Sequence, residues 1–131
     1  MAQTLWTLPV ASTALLSGST FQKLPRRACA LLCEYEDDSD NIVSLKLLFD
    51  DVEAFKCTYH GACTAEMIRT AYDKVVDAGS TDWLAAIREQ LVNYGGQNAA
   101  ELKHLMIYFD DGPCYEFICR SFRAEETAKG S

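Results

Sequence analysis

Between Ala28 and Glu36 the side chains alternate with a period of two. Cys29, Leu31, Cys33 and Tyr35 fall on one side and Ala30, Leu32, Glu34 and Glu36 on the other, which predicts a strand whose first half is buried on both faces. Asp37, Asp38, Ser39, Asp40 and Asn41 interrupt the pattern as a turn, because Asp, Asn and Ser hydrogen-bond their own backbone there. Val43, Leu45, Leu47 and Phe49 then share one face against Ser44 and Lys46, and after Asp50-Asp51 the alternation resumes through Phe55, Cys57 and Tyr59. Strands joined this closely are expected to lie side by side, antiparallel.

At Gly61 the period changes. From Thr64 to Ala78, Met67, Ile68, Ala71, Tyr72 and Val75 gather on one arc of a 3.6-residue period, opposite Arg69, Thr70, Asp73, Lys74 and Asp77. This predicts a surface helix capped by Cys63 or Thr64 and ended by Gly79. Ser80 is the expected cap of a second helix carrying Trp83, Leu84, Ile87, Leu91 and Tyr94 on its apolar stripe, up to Gly95-Gly96. Alternation returns at Leu105, Ile107 and Phe109. Asp110-Asp111-Gly112-Pro113 is the strongest turn signal in the chain, and Tyr115, Phe117 and Cys119 alternate on the way back.

The order βββααββ predicts a single α+β domain over 1–131 with two layers: an antiparallel sheet of about five strands on an αα-hairpin. Residues 1–26 lack a clean period and are expected to be partly irregular. Residues 123–131 are expected to be a polar tail.

Composition narrows the function classes. With 49% hydrophobic and 24% charged residues the chain is of globular type. No apolar run reaches the roughly 18 residues of a spanning helix, so no membrane partner is expected. Leu5–Leu16 imitates the middle of a secretory signal but lacks a basic start and contains Pro9, so it reads as mature protein, with cytoplasmic residence as the default. The net charge of -7 argues against nucleic acid, which needs clustered Lys and Arg. Six cysteines could form three bridges, but five of them fall inside apolar strand patterns and are expected to be reduced, buried hydrophobes.

Three places could hold chemistry. Cys57, His60 and Cys63, with His104, Cys114 and Cys119 as further candidates, could bind zinc, yet they do not form the two ligand pairs of a zinc knuckle. Cys63 with His60 could be a nucleophile and base, since Cys63 begins a helix. Asp50-Asp51 and Asp110-Asp111 are paired carboxylates that turn chemistry explains. No phosphate loop, nucleophile elbow or dinucleotide fingerprint is present. A binding protein without cofactor, metal or catalytic residues is therefore expected ahead of an enzyme. The alternatives are a small zinc- or thiol-dependent enzyme at Cys57, His60 and Cys63, or a structural subunit of a larger assembly.

The segment Leu105–Cys119 (LMIYFDDGPCYEFIC), with Tyr72–Leu84 (YDKVVDAGSTDWL), resembles small uncharacterised bacterial proteins of the immunity type. Some of those neutralise toxin domains. The likeness extends over the last two thirds of the chain and implies a function class without assigning residues. The acidic clusters suit such a role, because charge speeds encounter with a basic toxin domain and aromatic anchors supply affinity. The expected partner-binding residues are Glu34, Glu36, Asp37, Asp38 and Asp40, with Tyr108, Asp110 and Asp111 as a second patch.

Overall fold

The computed structural model describes residues 2–95, 98–110 and 112–128. In chain order its elements are β1 (Gln3–Thr7), β2 (Thr20–Leu24), β3 (Ala28–Glu36), β4 (Ile42–Asp50), β5 (Ala54–Thr58), α1 (Ala65–Ala71), β6 (Lys74–Asp77), α2 (Asp82–Asn93), β7 (Lys103–Tyr108), β8 (Cys114–Cys119) and β9 (Ser121–Ala128). The strands form two antiparallel sheets, one of five in the order β1-β6-β7-β8-β5 and one of four in the order β2-β3-β4-β9.

Inward-facing side chains of both sheets make the main core. Leu31, Leu45, Leu47 and Phe49 of the four-stranded sheet meet Val75, Leu105, Ile107 and Phe117 of the five-stranded one. The alternate residues of the five-stranded sheet point the other way, into two smaller clusters under the helices. Ala71 of α1 and its neighbours cover Val76, Met106, Tyr108 and Cys114, and Leu84 of α2, with Ile87 and Leu91 beside it, covers Leu102 and Ile118. The architecture is a β-sandwich with two helices laid on the outside of one sheet. The central strands β7 and β8 of that sheet are largely apolar on both faces because both faces are covered.

This corrects the expected two layers of one five-stranded sheet on an αα-hairpin. The decisive difference is at residue 72. The helix stops at Ala71, and Lys74–Asp77 is a strand between β1 and β7, so the two helices are not a hairpin. Asp73 takes a left-handed backbone (φ 57°), its N–H donates to Tyr108 O, and its carbonyl accepts from Leu8 N. Those bonds turn the chain into the sheet. Val75 then faces the inter-sheet core and Val76 the helical layer, which is the period of a strand. Thr64 caps α1 through Met67 N, and Thr81, rather than Ser80, caps α2 through Leu84 N.

Residues 1–26 supply β1 and β2, joined by a connection over 8–19 that holds one short 3-10 turn at Ser12–Ala14. Two further expectations change. Within 123–131, residues up to Ala128 continue β9, paired to β4 along its length, and 129–131 lie outside the described residues. Finally, β4 and β5 are not neighbours. After Asp51 (φ 54°) the chain leaves one sheet for the other, and β5 pairs with β8.

Candidate functional site

The topology brings the two acidic segments to one end of the sandwich. Strand β8 ends at Cys119, where Arg120 N donates to Asp50 O and the chain enters β9, so this crossover marks one end. The β3–β4 and β7–β8 turns both close the opposite end. A segment of the β1–β2 connection links them: Leu16 N donates to Glu34 O (2.9 Å), and Ser12 Oγ accepts from Asp110 N (2.7 Å).

The individual residues differ in what they offer. Glu34 lies on the outer face of the four-stranded sheet and accepts from Ser44 Oγ. Asp37 accepts from Ser39 N and Asn41 N, both at 2.9 Å, so it builds the turn itself. Glu36, Asp38 and Asp40 are exposed. Asp110 accepts from Tyr72 Oη at 2.7 Å, and that bond, followed by burial, pushes the Tyr72 phenol up to about 12. Tyr108 is buried under α1 with its hydroxyl bonded to His60 Nδ1. Asp111 lies outside the described residues.

Electrostatically the two ends are unlike. At the crossover end Arg27 pairs with Glu53, Arg120 with Glu53 and Glu101, and Arg123 with Asp50 and Glu125. At the other end Glu36, Asp37, Asp38, Asp40 and Asp110 form no ion pair among the described residues. Two exposed apolar side chains, Leu16 and Ile42, stand among these carboxylates.

Of the cysteine and histidine candidates, Cys63 and Cys114 meet in the cluster under α1, with His60 bonded to Tyr108 of that cluster, while His104 and Cys119 lie elsewhere. Cys57 is exposed and lines a groove with Phe21, Phe55, Tyr59 and Tyr115. His60 is held by Tyr108, and Cys63 Sγ donates to the carbonyls of Thr58 and Tyr59. Burial pushes the Cys57 and Cys63 thiols up, the direction opposite to an activated nucleophile. Cys29, Cys33, Cys114 and Cys119 are buried, with Cys33 pushed up to about 11 and Cys119 to about 12, in each case chiefly by burial. Among the described residues, no three His, Cys, Asp or Glu side chains are placed to share a metal ion.

A different constellation lies in the cleft between α1 and α2, on the outer face of the five-stranded sheet. His104 of β7 and Glu116 of β8 are 6% and 7% exposed. His104 Nε2 lies 2.9 Å from Glu116 Oε1, and its Nδ1 lies 2.8 Å from Thr81 Oγ1. An ionised carboxylate only accepts, so Nε2 carries the hydrogen, and in the neutral ring Nδ1 is left to accept from the Thr81 hydroxyl. Trp83 meets the imidazole edge-on at 5.1 Å, and Lys56, paired in register with Glu116, places its ammonium 4.0 Å from the Trp83 ring centroid. The cleft holds about 360 Å³ and is lined by all three members of the hydrogen-bonded chain and by Met67, Thr70 and Met106.

Sequence reasoning named His104 only as a possible metal ligand and did not single out Thr81 or Glu116. A signal was present: Glu116 is the one polar residue in Cys114–Cys119, and His104 follows Lys103 at the head of the apolar run Leu105–Phe109. A polar side chain inside a strand buried on both faces needs a partner. No protein-family model matches this chain, and comparison with curated proteins and with solved structures found no match.

Proposed function

We propose that this chain is a protein-binding domain that meets a basic partner with its acidic end, in the manner of an immunity protein neutralising a toxin domain. One observation carries the reading: among the described residues the five carboxylates of Glu36, Asp37, Asp38, Asp40 and Asp110 form no ion pair at one end, while Arg27, Arg120 and Arg123 at the far end are paired. Like charges gathered at one end repel one another, and a cationic surface relieves that repulsion as it arrives. Their summed field speeds encounter, and the gain shrinks as salt screens it. Tyr108 is too deeply buried to anchor a partner. Leu16 and Ile42, exposed within the acidic surface, supply the apolar contact that slows dissociation.

The test uses the product of the gene adjoining this one, because toxin and immunity genes travel as pairs. Association of the two purified proteins is followed at several salt concentrations, with the native chain and with a Glu36→Lys, Asp38→Lys, Asp40→Lys variant. Asp37 is left in place because it holds the turn. The association rate is expected to fall by about tenfold or more in the variant and to lose most of its salt dependence. Binding that is indifferent to both the substitutions and the salt removes the acidic end from the interface.

A further inference from the structure

We propose that the cleft between α1 and α2 is an acyl-transfer site in which Thr81 is the nucleophile, His104 its base and Glu116 the carboxylate that orients the base. Its substrate class is a small carboxylic ester with a short apolar acyl group. The inference is independent of the acidic end, since it concerns a different face of the molecule.

The geometry meets the requirements of such a site in order. The nucleophile and base are in hydrogen-bond contact at 2.8 Å, and the base and its orienting carboxylate at 2.9 Å. The proton arrangement is the useful one: Glu116 fixes the hydrogen on Nε2 and leaves Nδ1 free to take the hydroxyl proton of Thr81. The Thr81 oxygen accepts from Leu84 N at 3.3 Å as a helix cap, and its second lone pair remains for attack. Asp82 and Trp83 occupy the first two positions of α2, a helix of twelve residues, and their N–H groups have no acceptor within the helix. They lie next to the nucleophile in the chain and can donate to an oxyanion, with the helix dipole adding to the effect. One part of the wall suits a short acyl group: Met67, Ala78 and Met106 are apolar, while Glu66 and Thr70 line the same space of about 360 Å³, the size of a small organic molecule.

The steps balance as follows. Thr81 Oγ1 bonds to the ester carbonyl carbon while its proton passes to His104 Nδ1, and Glu116 stabilises the imidazolium. The bond from that carbon to the alcohol oxygen then breaks, and His104 returns the proton to the departing oxygen. Water attacks the acyl-threonine carbon, giving a proton to His104. Thr81 Oγ1 leaves and recovers that proton, and a carboxylic acid is released.

The experiment treats the purified full chain with p-nitrophenyl butyrate, measures nitrophenolate release, and locates the butyryl group by peptide mass spectrometry. Butyrylation of Thr81 is expected, with release reduced about 100-fold in both Thr81→Asn and His104→Gln and largely kept in Thr81→Ser. Asparagine preserves the helix cap, so Thr81→Asn separates loss of the nucleophile from loss of the fold, which circular dichroism checks. The mapping on the native chain needs no variant: butyryl groups found only on lysines or cysteines overturn the proposal. So does Thr81 acylation that persists undiminished in a folded His104→Gln protein.

Discussion

Phe49 of β4 and Phe117 of β8 stack across the two sheets with ring centroids 4.0 Å apart and planes 16° from parallel. Neither ring has any exposed surface, so the pair joins the sheets at the centre of the main core. Phe117→Ala leaves a ring-sized void between two rigid layers and is expected to cost about 3–5 kcal/mol. Urea unfolding measures it. A loss below about 1 kcal/mol would mean that the sheets close over the gap.

Tyr72 and Asp110 give a pH dependence whose sign can be worked out. The neutral phenol donates to the carboxylate, which raises its folded pKa from the ordinary 10.0 to about 12. The contribution of this bond is therefore fully present below pH 10 and disappears as pH climbs through about 12. A titration of tyrosinate absorbance is expected to show Tyr72 ionising late, and Asp110→Asn to bring that transition back towards 10. A latest-ionising tyrosine that ignores the Asp110 substitution contradicts the assignment.

The carboxylates of the β3–β4 turn are not equivalent. Asp37 holds two backbone N–H groups, and Asp37→Ala is expected to destabilise the protein by about 1 kcal/mol. Asp38 is exposed, and Asp38→Ala is expected to stay within about 0.5 kcal/mol of the native chain. Chemical denaturation of the two variants side by side decides it, with equal effects counting against the turn geometry.

Gly112 presses against His60. A Cβ at this position would sit 2.8 Å from His60 N and 3.2 Å from its Cα, and the backbone φ is +76°. Gly18 shares the positive φ, at +72°, but faces open space. Gly18→Ala is expected to cost about 1 kcal/mol for its left-handed backbone. Gly112→Ala adds a backbone collision to that cost and displaces His60 from the Tyr108 hydroxyl. Thermal melts rank the pair, and the histidine ring signals report whether His60 has moved.

The strands that were legible in the sequence are those with strong alternation: β3, β4, β5, β7 and β8. Three of the four edge strands, β1, β2 and β9, were not. Gln3–Thr7 and Thr20–Leu24 touch the core along one thin line, so few of their positions need be apolar and no period stands out. Strand β6 was concealed by coincidence, because Val75 continues the 100° spacing of Met67, Ile68, Ala71 and Tyr72 past the point where the helix ends. Tertiary bonds from Asp73 decide that boundary, and no local propensity announces them. The adjoining Val75-Val76 was the available hint, since two β-branched residues in a row suit a strand buried on both sides. The acidic residues could be read from charge alone. Their meeting at one end could not, because it depends on where the chain changes sheets. Tyr108 was placed correctly in a strand, but nothing local says that its face lies under α1.

The interleaving of the sheets bears on how the chain acquires its shape. Strand β5 pairs only with β8, β1 only with β6, and β9 closes a sheet begun at β2. Short connections pair β2, β3 and β4 in turn and β7 with β8, but the remaining pairings bring together stretches far apart in the chain. Long loops must close before most pairings form, and such closure lowers the rate of reaching the native state. Until its final strand leaves the ribosome the nascent polypeptide keeps unpaired edges and apolar faces in contact with its surroundings, so protection from aggregation during synthesis matters more here than for a helical bundle of equal length.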